Sequence, residues 1–514
     1  MRKVNTALTV AILAYLVIVS IWYSVSGPFN HDEHQFMASA FMVAQYGSHP
    51  YQDFAYFHMP NLVYLYAPFC LIPYSFLLAR LFVGICAFGI CLSIFLTARS
   101  LFAGQGKLNS LILPVSSVAL LIHSPLLQYA SSNVWNHTPS TICAVLAFLL
   151  HCQAIRGNKP LPYFFMSGVS LGMAIGIRLS FAPLVIPFLL AGVVFRTGTV
   201  RDKILNAMLF AVGGLLANLP AVYFFFTSYE DFLFGNLGYA KLNTIYRQEM
   251  SFPGPMTFAE KVKYLVHFVF ANPGELLILV VTLYSLVLFG IDTMRSAARP
   301  RFEILFLLLL LPFVYVACMA PTPTWYQYYF APVPFLILLS LYTLSNLRCS
   351  AFSKATGLLL LVAAVIAFIY GSPLKGGSMV HGLMRPESWT PIRLHRAANN
   401  IRAYIDSRSG EGAVLTLSPL FAIESGLPIY KEFVTGPFAW RVSHLLSEAE
   451  AANRGLPLRS RIKSFLEEKR PRAILTGREK EEQSEEITLI RAAQQLGYQP
   501  IVGPIGVVIW LSPK

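Results

Sequence analysis

Charged residues are scarce in this chain of 514 residues, and this scarcity excludes more than any motif does. Only 12% of the residues are Asp, Glu, Lys or Arg, against roughly 25% in soluble domains, while 55% are apolar. The mean hydropathy of +0.57 also indicates a predominantly apolar chain. A soluble multidomain protein of this length is therefore excluded, and the composition predicts an integral membrane protein.

Three other signatures are missing as well. The seven cysteines lie before residue 350 without the spacing of a metal site, so neither a zinc knuckle nor a disulfide framework is predicted. The C-terminal part has neither a Gly-x-Gly-x-x-Gly sequence nor a Walker lysine, which argues against a nucleotide site. The net charge of +14 requires no nucleic-acid partner, because membrane proteins retain Lys and Arg on their cytoplasmic side.

Apolar stretches long enough to cross a bilayer, about 20 residues each, are predicted eleven times before residue 372. The predicted spans are 5–25, 75–98, 109–128, 139–155, 161–177, 180–196, 204–227, 274–290, 302–319, 328–346 and 355–371. A cytoplasmic N-terminus places most loop Lys and Arg residues inside, as the positive-inside rule requires. Residues 372–514 then lie outside. Without a retention signal for the endoplasmic reticulum, a bacterial inner membrane is the preferred location.

The C-terminal segment is richer in charge and reads as a water-soluble unit. Strand-like stretches at 413–417, 473–476 and 506–511 alternate with helical stretches at 393–407, 458–469 and 483–495. The predicted fold class is therefore an α-helical polytopic membrane protein, with a membrane module over 1–371 and a small α/β periplasmic domain over 372–514. This domain is expected to form an outer cap that helps to select the acceptor.

The first outer loop, 26–74, holds the strongest candidates for chemistry. It reads Asn-His-Asp-Glu-His-Gln-Phe over 30–36, and residues 34–46 predict a short helix along the membrane surface. Two adjacent carboxylates at the end of a span are costly to desolvate, so Asp32 and Glu33 are functional candidates. Capping of the following helix explains them too. A metal site with His31 and His34 is a third interpretation.

The order of motifs in this loop resembles the GT-C superfamily of membrane glycosyltransferases. Asp32-Glu33 is followed by Phe36, Tyr46-Gly47, Tyr51, Asp53 and His58-Met59-Pro60. This pattern is similar to that of protein O-mannosyltransferases and of bacterial enzymes such as the lipid A aminoarabinose and galacturonic acid transferases. A proline-punctuated segment, Tyr329–Pro334, is similar as well. The resemblance covers roughly residues 1–345 and implies a GT-C fold with about eleven transmembrane helices.

The resemblance also implies an activity. The protein would move a sugar from a polyprenyl-phosphate carrier to a hydroxyl of a lipid or glycan acceptor on the outer membrane face, in the synthesis of lipopolysaccharide or other cell-envelope glycans. Asp32 falls at the position of the catalytic base, and Glu33 would orient it. Asp53 and His58 would bind substrate. A direct attack would invert the anomeric configuration.

Arg178 lies between two apolar stretches, where the aminoarabinose transferases have a lysine that contacts phosphate. A planar guanidinium suits phosphate binding, although an arginine snorkelling to the interface explains the position too. Tyr328 and Tyr329 are candidates for binding phosphate or sugar, and an aromatic belt is the alternative. At His137 the chain departs from the aminoarabinose group, which has an acid nearby. His137 is therefore a candidate contact for an acidic sugar, or a simple interfacial polar residue.

No cofactor is predicted, and a divalent metal ion is not supported, because the first loop lacks two acids separated by one residue. The loop over 228–265 carries Lys241, Asn243, Tyr246 and Arg247, which suit either a solvated loop or a lid over the donor. The rival function is a multi-span transporter or flippase of a lipid-linked glycan precursor. The candidate acids lie in an outer loop rather than at the midplane, which favours transfer chemistry.

Overall fold

The computed structural model describes residues 2–104, 109–252, 254–296, 299–479 and 483–513. Its first eighteen α-helices are α1 Arg2–Ser26, α2 Asp32–Tyr46, α3 Asn61–Tyr66, α4 Ser75–Leu101, α5 Asn109–Ile122, α6 Pro125–Ser131, α7 His137–Arg156, α8 Pro160–Ile177, α9 Val185–Phe195, α10 Val200–Ala217, α11 Leu219–Thr227, α12 Tyr229–Leu233, α13 Tyr239–Glu249, α14 Phe258–Ala271, α15 Pro273–Ser296, α16 Phe302–Met319, α17 Val333–Asn346 and α18 Ser350–Gly371. The remaining ones are α19 Ser378–Leu383, α20 Thr390–Asp406, α21 Leu420–Ile423, α22 Pro437–Val442, α23 Glu448–Asn453, α24 Ile462–Lys469 and α25 Gln483–Gln495.

Within the described ranges, eight helices are long and apolar enough to cross a membrane, or ten if two bent pairs each count as one span. The pairs α5–α6 and α10–α11 are bent by 60° and 70°. Each bend has a proline in the first turn of its second helix, Pro125 and Pro220, where a backbone N–H is missing. The predicted span 180–196 differs: it is a 3₁₀ turn followed by α9, shorter than a bilayer crossing.

Helix α2 confirms the helix predicted after the first span, but it is buried rather than laid on a surface. It begins at Asp32 and ends at Gly47, whose φ of 64° is the left-handed conformation that glycine adopts readily at a helix end. Its residues from Glu33 to Met42 are buried. The helix packs against α3, the 3₁₀ turn Ala67–Leu71 and α21 of the C-terminal part.

The C-terminal part contains a four-stranded sheet in the order β1-β2-β4-β3. The strands are β1 Val414–Thr416, β2 Ala473–Thr476, β3 Gln499–Val502 and β4 Val508–Leu511. Val414 pairs with Ala473 in the parallel pair β1–β2, and β4 is antiparallel to both β2 and β3. Three strands were predicted. The missed one, β3, is a mostly exposed edge strand that carries Pro500, so its sequence lacks the apolar alternation of a strand.

The C-terminal part shares a hydrophobic cluster with the first loop and the start of α4. Phe36 of the first loop and Phe76 of α4 belong to the same buried cluster as Leu394 and Phe421. A polar joint lies beside it: the Glu424 carboxylate accepts hydrogen bonds from the Ser75 hydroxyl at 2.7 Å and the Phe76 N–H at 3.2 Å, in the first turn of α4. The helix that carries Asp32 is therefore covered by the C-terminal part.

Candidate active site

Asp32 is the first residue of α2, and its carboxylate is both held and reachable. Its N–H donates to the Asn30 side-chain oxygen at 2.9 Å, and a helix N-terminus favours a negative charge. The carboxylate oxygen Oδ1 lies 3.2 Å from Nε2 of His31. The side chains of Asp32 and His31 are 29% and 20% exposed, so a substrate can approach the pair.

The surroundings keep Asp32 ionised. Burial favours the protonated acid, but His31, then Arg441 and His58 outweigh it and hold the pKa of Asp32 below its ordinary 3.8. For His31, burial favours the neutral ring, but Asp32 outweighs that effect and raises the pKa of His31 above 6.5. At neutral pH Asp32 is therefore ionised and available as a proton acceptor, and its charge favours the protonated form of His31.

Glu33 has a different environment. Its carboxylate and the Arg80 guanidinium are fully buried, with Oε2 at 2.7 Å from Nη2. The two carboxylate oxygens also accept the N–H groups of Val134 at 2.7 Å and Asn30 at 3.0 Å. Glu33 thus accepts an N–H just before α2, at Asn30, but α2 has no side-chain cap, so the capping interpretation of the acid pair stays a prediction. Its contacts are those of a residue that orients the helix carrying Asp32.

Arg178 follows the last residue of α8. Two residues earlier the backbone passes close to Asn61, because a Cβ atom added at Gly176 would overlap the Asn61 side chain. The Arg178 nitrogen Nη1 donates to Nδ1 of His137 at 2.6 Å, and the guanidinium lies 4.5 Å from the centre of the Tyr328 ring. In the described part of the chain, the buried nitrogen Nη2 of Arg178 has no hydrogen-bond partner. That nitrogen is available to an anion.

His137 opens α7 and is buried beside Arg178. Because Nδ1 accepts a hydrogen bond from a guanidinium that is always protonated, the ring is neutral and its hydrogen is assigned to Nε2. The ring lies 5.2 Å from that of Tyr328. Three of the predicted binding residues, Arg178, His137 and Tyr328, are therefore in mutual contact.

His58 connects this group to Asp32. Burial lowers the pKa of His58 to about 4; Asp32 opposes this shift and Arg178 adds to it, so both lie near the ring. The Tyr328 hydroxyl is within electrostatic reach of Arg178, Asp32 and Arg247. Asp32, His58, Arg178, His137 and Tyr328, far apart along the chain, thus lie together.

Asp53 and Tyr329 have other contacts. Asp53 lies on an exposed turn after α2, where its carboxylate accepts the His49 N–H at 2.7 Å. Tyr329 is buried, and its hydroxyl donates to the Lys261 carbonyl at 3.1 Å. Binding roles for these two residues stay predictions.

Two residues beside Asp32 were not predicted as parts of a transferase site. His31 was considered only as a metal ligand, although its adjacency to Asp32 was a signal. Arg441 lies in α22, with its guanidinium 4.7 Å from the centre of the Phe438 ring, which in turn is 5.8 Å from the His31 ring. No motif marks Arg441, because only the packing of the C-terminal part onto α2 brings it to Asp32.

The proposed metal cluster of His31 and His34 is divided between two environments. His31 faces Asp32, whereas Nδ1 of His34 accepts the Leu420 N–H at 3.3 Å and its Nε2 lies 3.4 Å from Glu479. Across the described ranges, no group of three or more His, Cys, Asp or Glu side chains is arranged to hold a metal ion.

The helical bundle, the buried loop helix and the C-terminal sheet together form the GT-C fold. The structure is similar to that of ArnT from Cupriavidus metallidurans bound to undecaprenyl phosphate, with a TM-score of 0.62 and 13% identity over 100% of both chains. The apo state of that protein gives 0.63 and 12% identity, covering 99% of this chain and 100% of the other. An oligosaccharyltransferase from Archaeoglobus fulgidus gives 0.50 and 14% identity, covering 98% of this chain and 74% of the other. No protein-family model and no curated protein matches the chain in sequence.

Proposed function

We propose that the chain is an integral membrane glycosyltransferase that moves a sugar from a polyprenyl-phosphate carrier to a hydroxyl of a lipid or glycan acceptor. The observation that carries the proposal is the pairing of two groups: an ionised, partly exposed Asp32, and a buried Arg178 whose Nη2 has no partner among the described residues. His58 and Tyr328, each within electrostatic reach of both, connect them.

A lipid phosphate suits the Arg178 end of this group. A buried guanidinium nitrogen without a hydrogen-bond partner destabilises the folded protein, and a phosphate oxygen would supply the missing partner through a charge-assisted hydrogen bond. The aromatic face of Tyr328 and the neutral ring of His137 hold the guanidinium in one orientation. The similarity to a structure bound to undecaprenyl phosphate supports a carrier of this class.

In the proposed reaction, the acceptor hydroxyl oxygen attacks the anomeric carbon and its proton passes to the free oxygen of Asp32. The bond between the anomeric carbon and the phosphate oxygen breaks, and the electron pair leaves with the lipid phosphate. Arg178 stabilises the charge that develops on that oxygen. Because attack and departure occur on opposite faces of the anomeric carbon, the configuration inverts. The lowered pKa keeps Asp32 ionised, and proton transfer to it becomes favourable as the new bond forms and makes the hydroxyl acidic.

The proposal includes a location. Asp32 follows the first span, so with a cytoplasmic N-terminus the site opens on the periplasmic side of a bacterial inner membrane. Residues 1–371 would form the catalytic membrane module and residues 372–514 the periplasmic domain. A lipopolysaccharide precursor or another envelope glycan would be the acceptor.

The test is transfer by the full chain in nanodiscs, with a panel of labelled polyprenyl-phosphate sugars and lipid acceptors. Asp32→Asn should reduce the rate by about 10²- to 10⁴-fold, the usual contribution of a positioned base. Binding of the lipid-linked donor should persist. Asp202→Asn is the matched control, since Asp202 only caps the start of α10 through Thr199.

A rate for Asp32→Asn within a few-fold of the unmodified protein would reject Asp32 as the base. Absence of transfer from every donor in the panel, together with movement of the donors across the bilayer of closed vesicles that contain the protein, would favour the transporter interpretation.

A further inference from the structure

We propose that His31 is a positioning residue for the Asp32 carboxylate and that the C-terminal domain holds His31 in place through Phe438 and Arg441. This inference rests on the proposed function for its meaning in catalysis. Its geometry is independent of that function, because it concerns contacts inside the chain.

His31 contacts one of the two carboxylate oxygens of Asp32. Nε2 of His31 lies 3.2 Å from Oδ1 of Asp32, which leaves Oδ2 for the acceptor proton. A carboxylate on a short side chain is otherwise free to rotate. A charge-assisted contact to one oxygen fixes the plane of the carboxylate and the direction of the other.

The C-terminal domain contacts the His31 ring through Phe438. The centre of the Phe438 ring lies 5.8 Å from that of the His31 ring, and the two rings are tilted by 56°. The Arg441 guanidinium lies over the Phe438 ring, 4.7 Å from its centre. Arg441 is only 1% exposed. The imidazole thus packs against an aromatic ring that also contacts a buried cation, and both Phe438 and Arg441 belong to α22.

Close contacts at Gly436 and His34 hold the start of α22 near α2. The chain enters α22 through Gly436, at a φ of 58°, where an added Cβ would lie 2.6 Å from the Leu417 carbonyl oxygen and 3.5 Å from the His34 Cβ. His34 is itself held by the C-terminal domain, through the Leu420 N–H and Glu479. The start of α2 is therefore fixed on two sides by this domain.

The groups that act on the Asp32–His31 pair come from several elements. Asp32 is affected by His31, by Arg441 of α22 and by His58 of the loop after α2. Tyr328, before α17, lies within reach of Asp32, and Glu479, after β2, acts on His31. Burial disfavours the ionised form of Asp32, and the His31 cation is the largest single effect that counteracts burial. Loss of this cation should therefore raise the pKa of Asp32.

The experiment measures protonation of Asp32 directly in the full-length protein. Carbodiimide and an amine modify a carboxyl in its protonated form, and mass spectrometry reports the extent at Asp32 as a function of pH. In the unmodified protein, labelling should increase only near or below the ordinary carboxyl pKa of about 4. In His31→Gln the increase should move upward by about one pH unit.

Arg441→Met should move the labelling curve in the same direction by less, and Arg441→Lys should keep most of the original curve. Phe438→Leu retains an apolar side chain but removes the ring, so it should give a small upward shift even if the larger changes reduce folding. The acidic limb of kcat/KM for transfer should shift in parallel. A merely structural residue would lower the amount of folded protein without moving either curve.

Two controls lie in the same interface, away from Asp32. His444→Gln removes a histidine that faces Glu249 at 3.0 Å, and Arg454→Met removes a guanidinium that faces Asp231 at 2.8 Å. Both should leave the labelling curve unchanged. Labelling of His31→Gln at the same pH as the unmodified protein would overturn the proposal. If labelling shifts but no protein transfers sugar, the positioning holds and the proposed function fails.

Discussion

Asp32 and Glu33 are neighbours in sequence, yet their environments are opposite. Successive residues of a helix point about 100° apart, so at the first turn of α2 one carboxylate faces His31 and the other enters the bundle. The Asp32 side chain is 29% exposed and that of Glu33 is fully buried against Arg80. Residue type and position marked both acids as candidates; only the surroundings separate the one that can exchange a proton from the one that cannot.

Glu33→Gln should therefore affect stability rather than chemistry. It leaves the Arg80 guanidinium buried without its counter-charge, which typically costs about 3 to 5 kcal/mol. We expect a lower melting temperature and less folded protein, with the rate of transfer per folded molecule reduced far less than in Asp32→Asn. Thermal unfolding and transfer are measured on the same preparation.

Glu468→Gln is the matched control for Glu33→Gln, because Glu468 faces Lys469 at 2.9 Å where both side chains are exposed. Such a pair contributes at most about 1 kcal/mol. A Glu33→Gln protein that unfolds like the unmodified one but transfers no sugar would show that Glu33 takes part in the reaction.

At the scale of elements, hydropathy predicted most spans because a long apolar helix is readable from its own residues. The bends between α5 and α6 and between α10 and α11 were not predicted, since each lies inside a continuous apolar stretch and depends on a proline. Helix α2 was placed correctly, but its burial was not predicted. From the C-terminal part its cover comes from α21, which no local pattern connects to it.

Glu424 joins two elements whose relation the sequence does not show. Its carboxylate accepts two hydrogen bonds in the first turn of α4 and lies 2.9 Å from His395 of α20. Glu424→Ala should lower the free energy of unfolding by about 3 to 6 kcal/mol, because it removes two hydrogen bonds to a charged group and each contributes about 1.5 to 3 kcal/mol. It should also expose the segment between α18 and α20 to protease.

Thermal unfolding and limited proteolysis of the full chain measure both effects of Glu424→Ala. Glu467→Ala removes an exposed carboxylate of α24 and should change neither. Equal stability of the two variants would mean that the shared hydrophobic core alone holds the C-terminal domain on α4.

At the scale of the whole molecule, the candidate site is built from three parts of the chain. The bundle supplies Arg178 and His137, the first loop supplies Asp32 and His58, and the C-terminal domain supplies Arg441. The resemblance to GT-C enzymes predicted the first two parts, because their motifs occur in order. It did not predict the third, since the C-terminal domain was expected only to help select the acceptor.

This assembly gives the described site an excess of positive charge. Arg178, Arg247 and Arg441 lie within electrostatic reach of Asp32 or Tyr328. Two nearby carboxylates are already engaged: Glu33 is paired with Arg80, and Glu479 faces His34 and accepts the Ser418 hydroxyl. One lipid phosphate balances part of the excess. An ammonium group on the sugar would increase it.

The protein should therefore discriminate against an amino sugar. Two polyprenyl-phosphate pentoses that differ only by an amine or a hydroxyl at one ring carbon form the matched pair of donors. We expect kcat/KM at least about tenfold lower for the amine at neutral pH, since a like-charge contact of only 1.4 kcal/mol produces that ratio. Asn136→Asp, which adds a carboxylate directly before α7, should narrow the ratio by improving transfer of the amine-bearing donor. A preference of the unmodified protein for the amine would contradict the charge argument, because an ammonium would then be favoured in a site whose described cations outnumber its unpaired acids.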